Sequence, residues 1–96
     1  MLKSIAYVAT DHASKYLQQL CKHWSHKLQV AFTPEHGTVR FDAATLTLDA
    51  EPATLVATLE SADRQSLNRL ETVVADHLKR FAFREELTFR WTQPVE

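Results

Sequence analysis

Apolar positions along the chain switch period cleanly. Ser4 to Ala9 is short and partly β-branched (Ile5, Tyr7, Val8), which predicts a first strand. The spacing then lengthens, and Ala13, Leu17, Leu20, Cys21, Trp24 and Leu28 fall on one face of a helix. Thr10 or Asp11 offers an oxygen to the free N–H groups of its first turn. The helix is expected to end near His26 or Lys27, where a positive side chain suits the negative end of the dipole. Leu28, Val30 and Phe32 alternate with polar or small residues, so a second strand follows directly. Pro34 to Gly37 reads as a turn, with Gly37 free to take positive φ.

Three further alternating runs follow. Val39 and Phe41 form one, Leu46 and Leu48 the next, and Leu55, Ala57 and Leu59 the third. Their connections, Asp42-Ala43-Ala44 and Asp49-Ala50-Glu51-Pro52, are short, which implies antiparallel neighbours. Ser61 is placed to cap a second helix with Asp63 in its first turn, and Leu67, Leu70, Val74, Leu78 and Phe81 supply its apolar stripe. Leu87, Phe89 and Trp91 then alternate with Thr88, Arg90 and Thr92 as a last strand. The predicted order is β-α-β-β-β-β-α-β. One apolar face per strand and one stripe per helix fit an α+β two-layer sandwich, a single antiparallel sheet with both helices on one face. The other sheet face is rich in threonine.

Composition narrows the function classes. At 96 residues, 45% hydrophobic and 24% charged, the chain fits one domain over residues 1–96 and not a disordered protein. A net charge of -1 argues against a dedicated nucleic-acid binder, which carries a basic excess. No apolar run approaches the roughly 20 residues of a membrane span, so no membrane role is expected. The N-terminus has no secretory pattern, and the lone Cys21 fits a reducing cytosol, so a cytoplasmic location is expected. No P-loop, GxGxxG, HExxH or CxxC motif occurs.

The densest candidate chemistry is Cys21-Lys22-His23-Trp24-Ser25-His26-Lys27. On a regular helix Cys21 and His23 point about 200° apart, so they do not share an ion, and Cys21 reads as a small buried hydrophobe. His12, Tyr16, Gln19, His23 and His26 follow spacings of 4, 3, 4 and 3 and make a second stripe. Two histidines leave a metal site incomplete, and His77 on the second helix is the candidate to complete a His23, His26, His77 set. Lys15 and Lys22 share a side of the first helix and read as a solvated face. Arg84, beside Glu85 and Glu86, is placed to pin the exit of the second helix by charge-assisted bonds. Glu85 and Glu86 are adjacent and face opposite ways in an extended chain, which weakens an acid/base pair. Trp24, Phe81, Phe83, Phe89 and Trp91 read as core and core-edge residues.

The segments from Thr10 to Lys27 and from His77 to Leu87, with the Leu-rich strands between them, resemble a bacterial family catalogued as domain of unknown function two-two-one-eight. The resemblance runs essentially end to end, and its signatures are Cys-Lys-His-Trp-Ser-His-Lys and Phe-Arg-Glu-Glu. It marks Lys22, His23, Trp24, His26, Lys27, Phe83, Arg84 and Glu85 as signature positions. His12 stands where the pattern leads one to expect arginine, which puts His12 in doubt as part of a shared site. The resemblance implies iron-siderophore metabolism through association with siderophore-interacting flavin reductases, and it brings no established active site.

Three readings remain open. The first is a non-enzymatic accessory or interaction domain, with a protein partner or a second copy of itself and no resident cofactor. The second is a module binding a metal or an anionic chelate through Lys22, His23, His26, Lys27, Arg84 and Glu85. The third is an enzyme of unrecognised type using His23, His77 or Glu85 as acid or base. The two signature segments are expected to meet, across one sheet edge.

Overall fold

The structure, a computed structural model, describes residues 1–93. Its elements are β1 (Leu2–Ala9), α1 (Ala13–Trp24), β2 (Gln29–Phe32), β3 (His36–Arg40), β4 (Ala44–Glu51), β5 (Thr54–Ser61) and α2 (Arg64–Phe81). The five strands form one sheet in the order β1-β5-β4-β3-β2, with every neighbouring pair antiparallel. The α+β class and the helix-on-sheet layering are as the periodicity implies.

Register aligns the inward residues across the sheet. Ser4, Leu59, Leu46 and Val39 make one row, and Ala6, Ala57, Leu48 and Gly37 make the next. All eight are buried. α1 packs on β2, β3 and β4, and α2 on β5 and β1, so the helices lie side by side on this face. The leucines at 17, 20, 46, 48, 55, 59, 67 and 78 are fully buried between the layers. Truncating any one of them to alanine costs about 2–5 kcal/mol in such a core. The opposite face carries Tyr7, Thr38, Thr45, Thr47 and Thr58, alternating out of the same strands.

The buried polar groups on the helix side are satisfied. Ser4 donates to Glu71 on α2. Ser61 donates to the Ala43 carbonyl at 2.6 Å and accepts from the Asp63 amide at 3.1 Å. Among the described residues no buried side-chain nitrogen or oxygen lacks a partner.

Several local features differ from the expectations. α2 is capped by Asp63, whose carboxylate accepts from the Ser66 amide at 3.1 Å, while Ser61 closes the preceding strand. α1 has His12 at its N-cap with no side-chain cap bond, and it ends at Trp24. Thr10 contributes differently, accepting the His12 amide at 3.1 Å and fixing the β1–α1 turn. Gly37 lies within β3 without positive φ. It is needed for a close approach, because a Cβ there would stand 2.8 Å from Cys21 Sγ on α1.

The expected last strand is an extended segment with a single bridge. Ile5 and Thr92 exchange two backbone bonds of 2.9 Å, and no ladder follows. The predicted alternation survives, with Leu87 buried and Thr88 and Arg90 exposed. The segment is held toward α2 instead: Phe89 and Trp91 stack on each other, 6.0 Å between centroids, and Lys79 of α2 lies over the Phe89 ring at 5.9 Å. Gln93 then fastens the segment through Asn68 at 2.8 Å, Glu71 at 2.9 Å and Arg64.

Candidate functional site

Helix α1 carries its polar stripe toward α2, and the signature segments meet there. The meeting place is the seam between the helices on the sheet's covered face, not a sheet edge. Two contacts define it. Tyr16 donates its phenol to Glu85, just beyond α2. Seven residues on, the His23 ring lies 5.4 Å from His77 and 5.9 Å from Phe81. These pairings make the two helices run in opposite directions.

Glu85 ties three segments together. The oxygen that accepts from Tyr16 also accepts from Thr10 Oγ1 at 3.2 Å, so the β1–α1 turn, α1 and the α2 exit share one carboxylate. Tyr16 is only 4% exposed. Burial first, then the carboxylate as acceptor and as a nearby negative charge, pushes its phenol up to about 12. It therefore stays protonated and donating at any physiological pH. Sequence reasoning identified Glu85 as a site residue and missed Thr10 and Tyr16 as its donors. The available signal was Tyr16 on the histidine stripe, four residues after His12 and seven before His23.

Next to this carboxylate the surface dips twice. A groove of about 320 Å³ runs between Asp11, His12, Lys15 and Tyr16 on one side and Phe81, Phe83, Arg84 and Glu85 on the other. A second hollow of about 580 Å³ lies beyond it, bounded by Lys79, Arg84, Glu86 and Leu87. Phe83 and Arg84 border both. Phe83 is 79% exposed, against its expected place at the core edge. Among the described residues Arg84 has no ion pair with which to pin the corner. Its guanidinium sits 5.5 Å from the Phe83 ring centre, a cation–π arrangement.

The other sequence candidates are placed apart from this groove. Lys22, His26 and Lys27 are exposed on the last turn of α1 and just after it. Lys22 is about 10 Å along the helix from Lys15. Among the described residues no three His, Cys, Asp or Glu side chains are grouped so as to hold a metal ion. His23 and His77 touch, while His26 makes no ring contact with either. Cys21 is fully buried, and burial alone pushes its thiol up to about 11, the state of an inert core residue.

Residues 5–92 match the family described as "uncharacterized protein conserved in bacteria (DUF2218)". The chain belongs to this bacterial family. A solved relative, described as the NMR structure of PA4090 from Pseudomonas aeruginosa, is 41% identical, with a TM-score of 0.82. The comparison covers 96% of each chain. No curated protein matches. In this DUF2218 protein both signature segments contribute to the same seam, His23 on one side and Phe83, Arg84 and Glu85 on the other. No helix among the described residues is long and apolar enough to cross a membrane.

Proposed function

We propose that this DUF2218 domain is a cytoplasmic, non-catalytic accessory module that docks a protein partner on the ridge formed by Phe83 and Arg84. The observation that carries the reading is the exposed Phe83 ring, held by Arg84 and flanked by a hollow on each side. Leaving a phenylalanine in water forfeits about 1.5–3 kcal/mol of burial. Aromatic and arginine side chains dominate the energetics of protein interfaces when a partner closes over them. The rim has mixed charge: Lys15 and Arg84 face the first groove together with Asp11 and Glu85. That balance favours a protein surface of mixed charge over a small anionic chelate.

The titratable groups support binding over catalysis. Tyr16 is held protonated, so it does not serve as a base near neutral pH, and the Glu85 oxygen beside it is already occupied by two hydroxyl donors. The partner class taken for this proposal, by the family resemblance alone, is a siderophore-interacting flavin reductase of the same bacterium.

Isothermal titration of that purified reductase into the domain tests the proposal. Saturable binding is expected, at least tenfold weaker with Phe83→Ala and with Arg84→Ala. Both side chains are exposed, so both variants should fold. Binding unaffected by either substitution removes the ridge from the interface, and no binding of the reductase overturns the partner assignment. A concentration-dependent dimer, abolished by Phe83→Ala in sedimentation, would reassign the ridge to self-association.

A further inference from the structure

The second contact of the helix seam has a geometry that the docking ridge does not use. We infer that His23 and His77 form a two-imidazole site for a late first-row divalent cation, bridging α1 and α2, with water completing the coordination.

His77 is already oriented by its own helix. Its Nδ1 lies 2.7 Å from the Val73 carbonyl, one helical turn back. A carbonyl accepts only, so Nδ1 carries a proton, and in the neutral ring the lone pair is on Nε2. A ligating histidine is typically oriented in this way, its other N–H held by a carbonyl or carboxylate. The tautomer needed to donate to a metal is therefore already set by α2. Nε2 has no partner among the described residues, and no buried nitrogen among them is unsatisfied, so Nε2 is open to solvent.

His23 supplies the second nitrogen. Its side chain is exposed on α1, and its ring centroid is 5.4 Å from that of His77, at 52° between planes. With metal–nitrogen bonds of about 2.0–2.1 Å and tetrahedral angles, two imidazoles on one ion place their centroids about 5 Å apart. The observed separation therefore asks for a rotamer adjustment of His23, not for movement of a helix. Trp24, 5.0 Å from His77, and Phe81, 5.9 Å from His23, wall the pair and restrict both rings. Imidazole ligands select copper, nickel and zinc over magnesium or calcium, with copper the tightest at a given site. The cross-helix pair replaces the three-histidine set expected from the sequence, because His26 lies beyond the end of α1 and its ring contacts neither His23 nor His77.

Substoichiometric Cu2+ added to the 15N-labelled full chain provides the test. Paramagnetic broadening is expected in two separate stretches at once, around His23 and around His77. Zn2+ should raise the melting temperature of the same protein. His23→Ala should weaken Cu2+ binding at least tenfold, and His77→Gln likewise, while His26→Ala should change it by less than about twofold. His23 is exposed, so its variant is expected to fold and decides the matter even where His77→Gln does not. Broadening confined to Lys22–Lys27 and removed by His26→Ala would overturn the bridge in favour of a pair on α1. No broadening at equimolar Cu2+, or broadening only at the N-terminus, overturns it outright.

Discussion

Replacing Gly37 by alanine adds one methyl group at a close approach between sheet and helix. The new Cβ would stand 2.8 Å from Cys21 Sγ and 3.4 Å from both Leu17 Cδ2 and Phe32 Cβ. Carbon and sulfur pack comfortably at about 3.5–4 Å, so roughly 0.7 Å or more must be recovered. Little gives way easily. Cys21 has a single side-chain torsion and is fully buried, and Leu17 is fully buried beside it. Overpacking of this kind costs typically 1–3 kcal/mol. Alanine returns about 0.5–1 kcal/mol through the unfolded chain, since glycine loses more freedom on folding. The net expectation is a loss of roughly 0–2.5 kcal/mol, centred near 1 kcal/mol, and that centre is worth about 4–8 °C in melting temperature for a domain of this size.

The assay is a double-mutant cycle by chemical denaturation, with Gly37→Ala, Cys21→Ala and the pair. Cys21→Ala removes the Sγ atom, so Gly37→Ala should cost at least about 1 kcal/mol less in that background. Additivity across the cycle would falsify the close-approach argument. It would return Gly37 to the role of an ordinary strand residue.

Two further outcomes follow from the structure. Alkaline pH should destabilise the protein, because Tyr16 is raised to about 12 and Cys21 to about 11 in the fold, from 10.0 and 9.0. The fold favours both protonated forms, so their contribution is complete below pH 9 and is lost as pH rises through the folded values. Stability measured by denaturation from pH 8 to 12 should fall less steeply in a Tyr16→Phe, Cys21→Ala double variant; equal slopes contradict this. Gln93→Ala removes bonds to Asn68, Glu71 and Arg64. Net stability should drop by only about 1 kcal/mol. Amide exchange at Ile5 and Thr92 should accelerate while the β4–β5 ladder stays protected, and unchanged exchange at Ile5 counts against Gln93 as the fastener.

Much of this architecture was legible in the chain. Period-2 and helical spacing determined which segments are strands and helices, and which residue of each turns inward, because burial of one face is a local property of each element. Leu46 and Leu48 against Thr45 and Thr47, or Leu67 and Leu70 on α2, needed no partner to be read. Cys21 as an inert core residue followed from the same spacing. The resemblance carried the family, and with it the two segments that form the seam.

Tertiary structure decided what depends on contacts distant in sequence. Leu87, Phe89 and Trp91 alternate like a strand, yet a ladder also needs the segment to run along the sheet edge that β1 offers. Here Phe89 and Trp91 pack beside α2, and only Thr92 reaches β1. Gly37 looked like a turn glycine because Pro34 stands nearby; its real constraint comes from a cysteine sixteen residues earlier, on a helix lying across its strand. Glu85 and Tyr16 were separately visible, but nothing local in either says that they share a hydrogen bond across 69 positions. The same holds for His23 and His77. Periodicity reports which side of an element is buried; which residues of two elements face each other is set by how the helices cross the sheet, and that is a property of the whole fold.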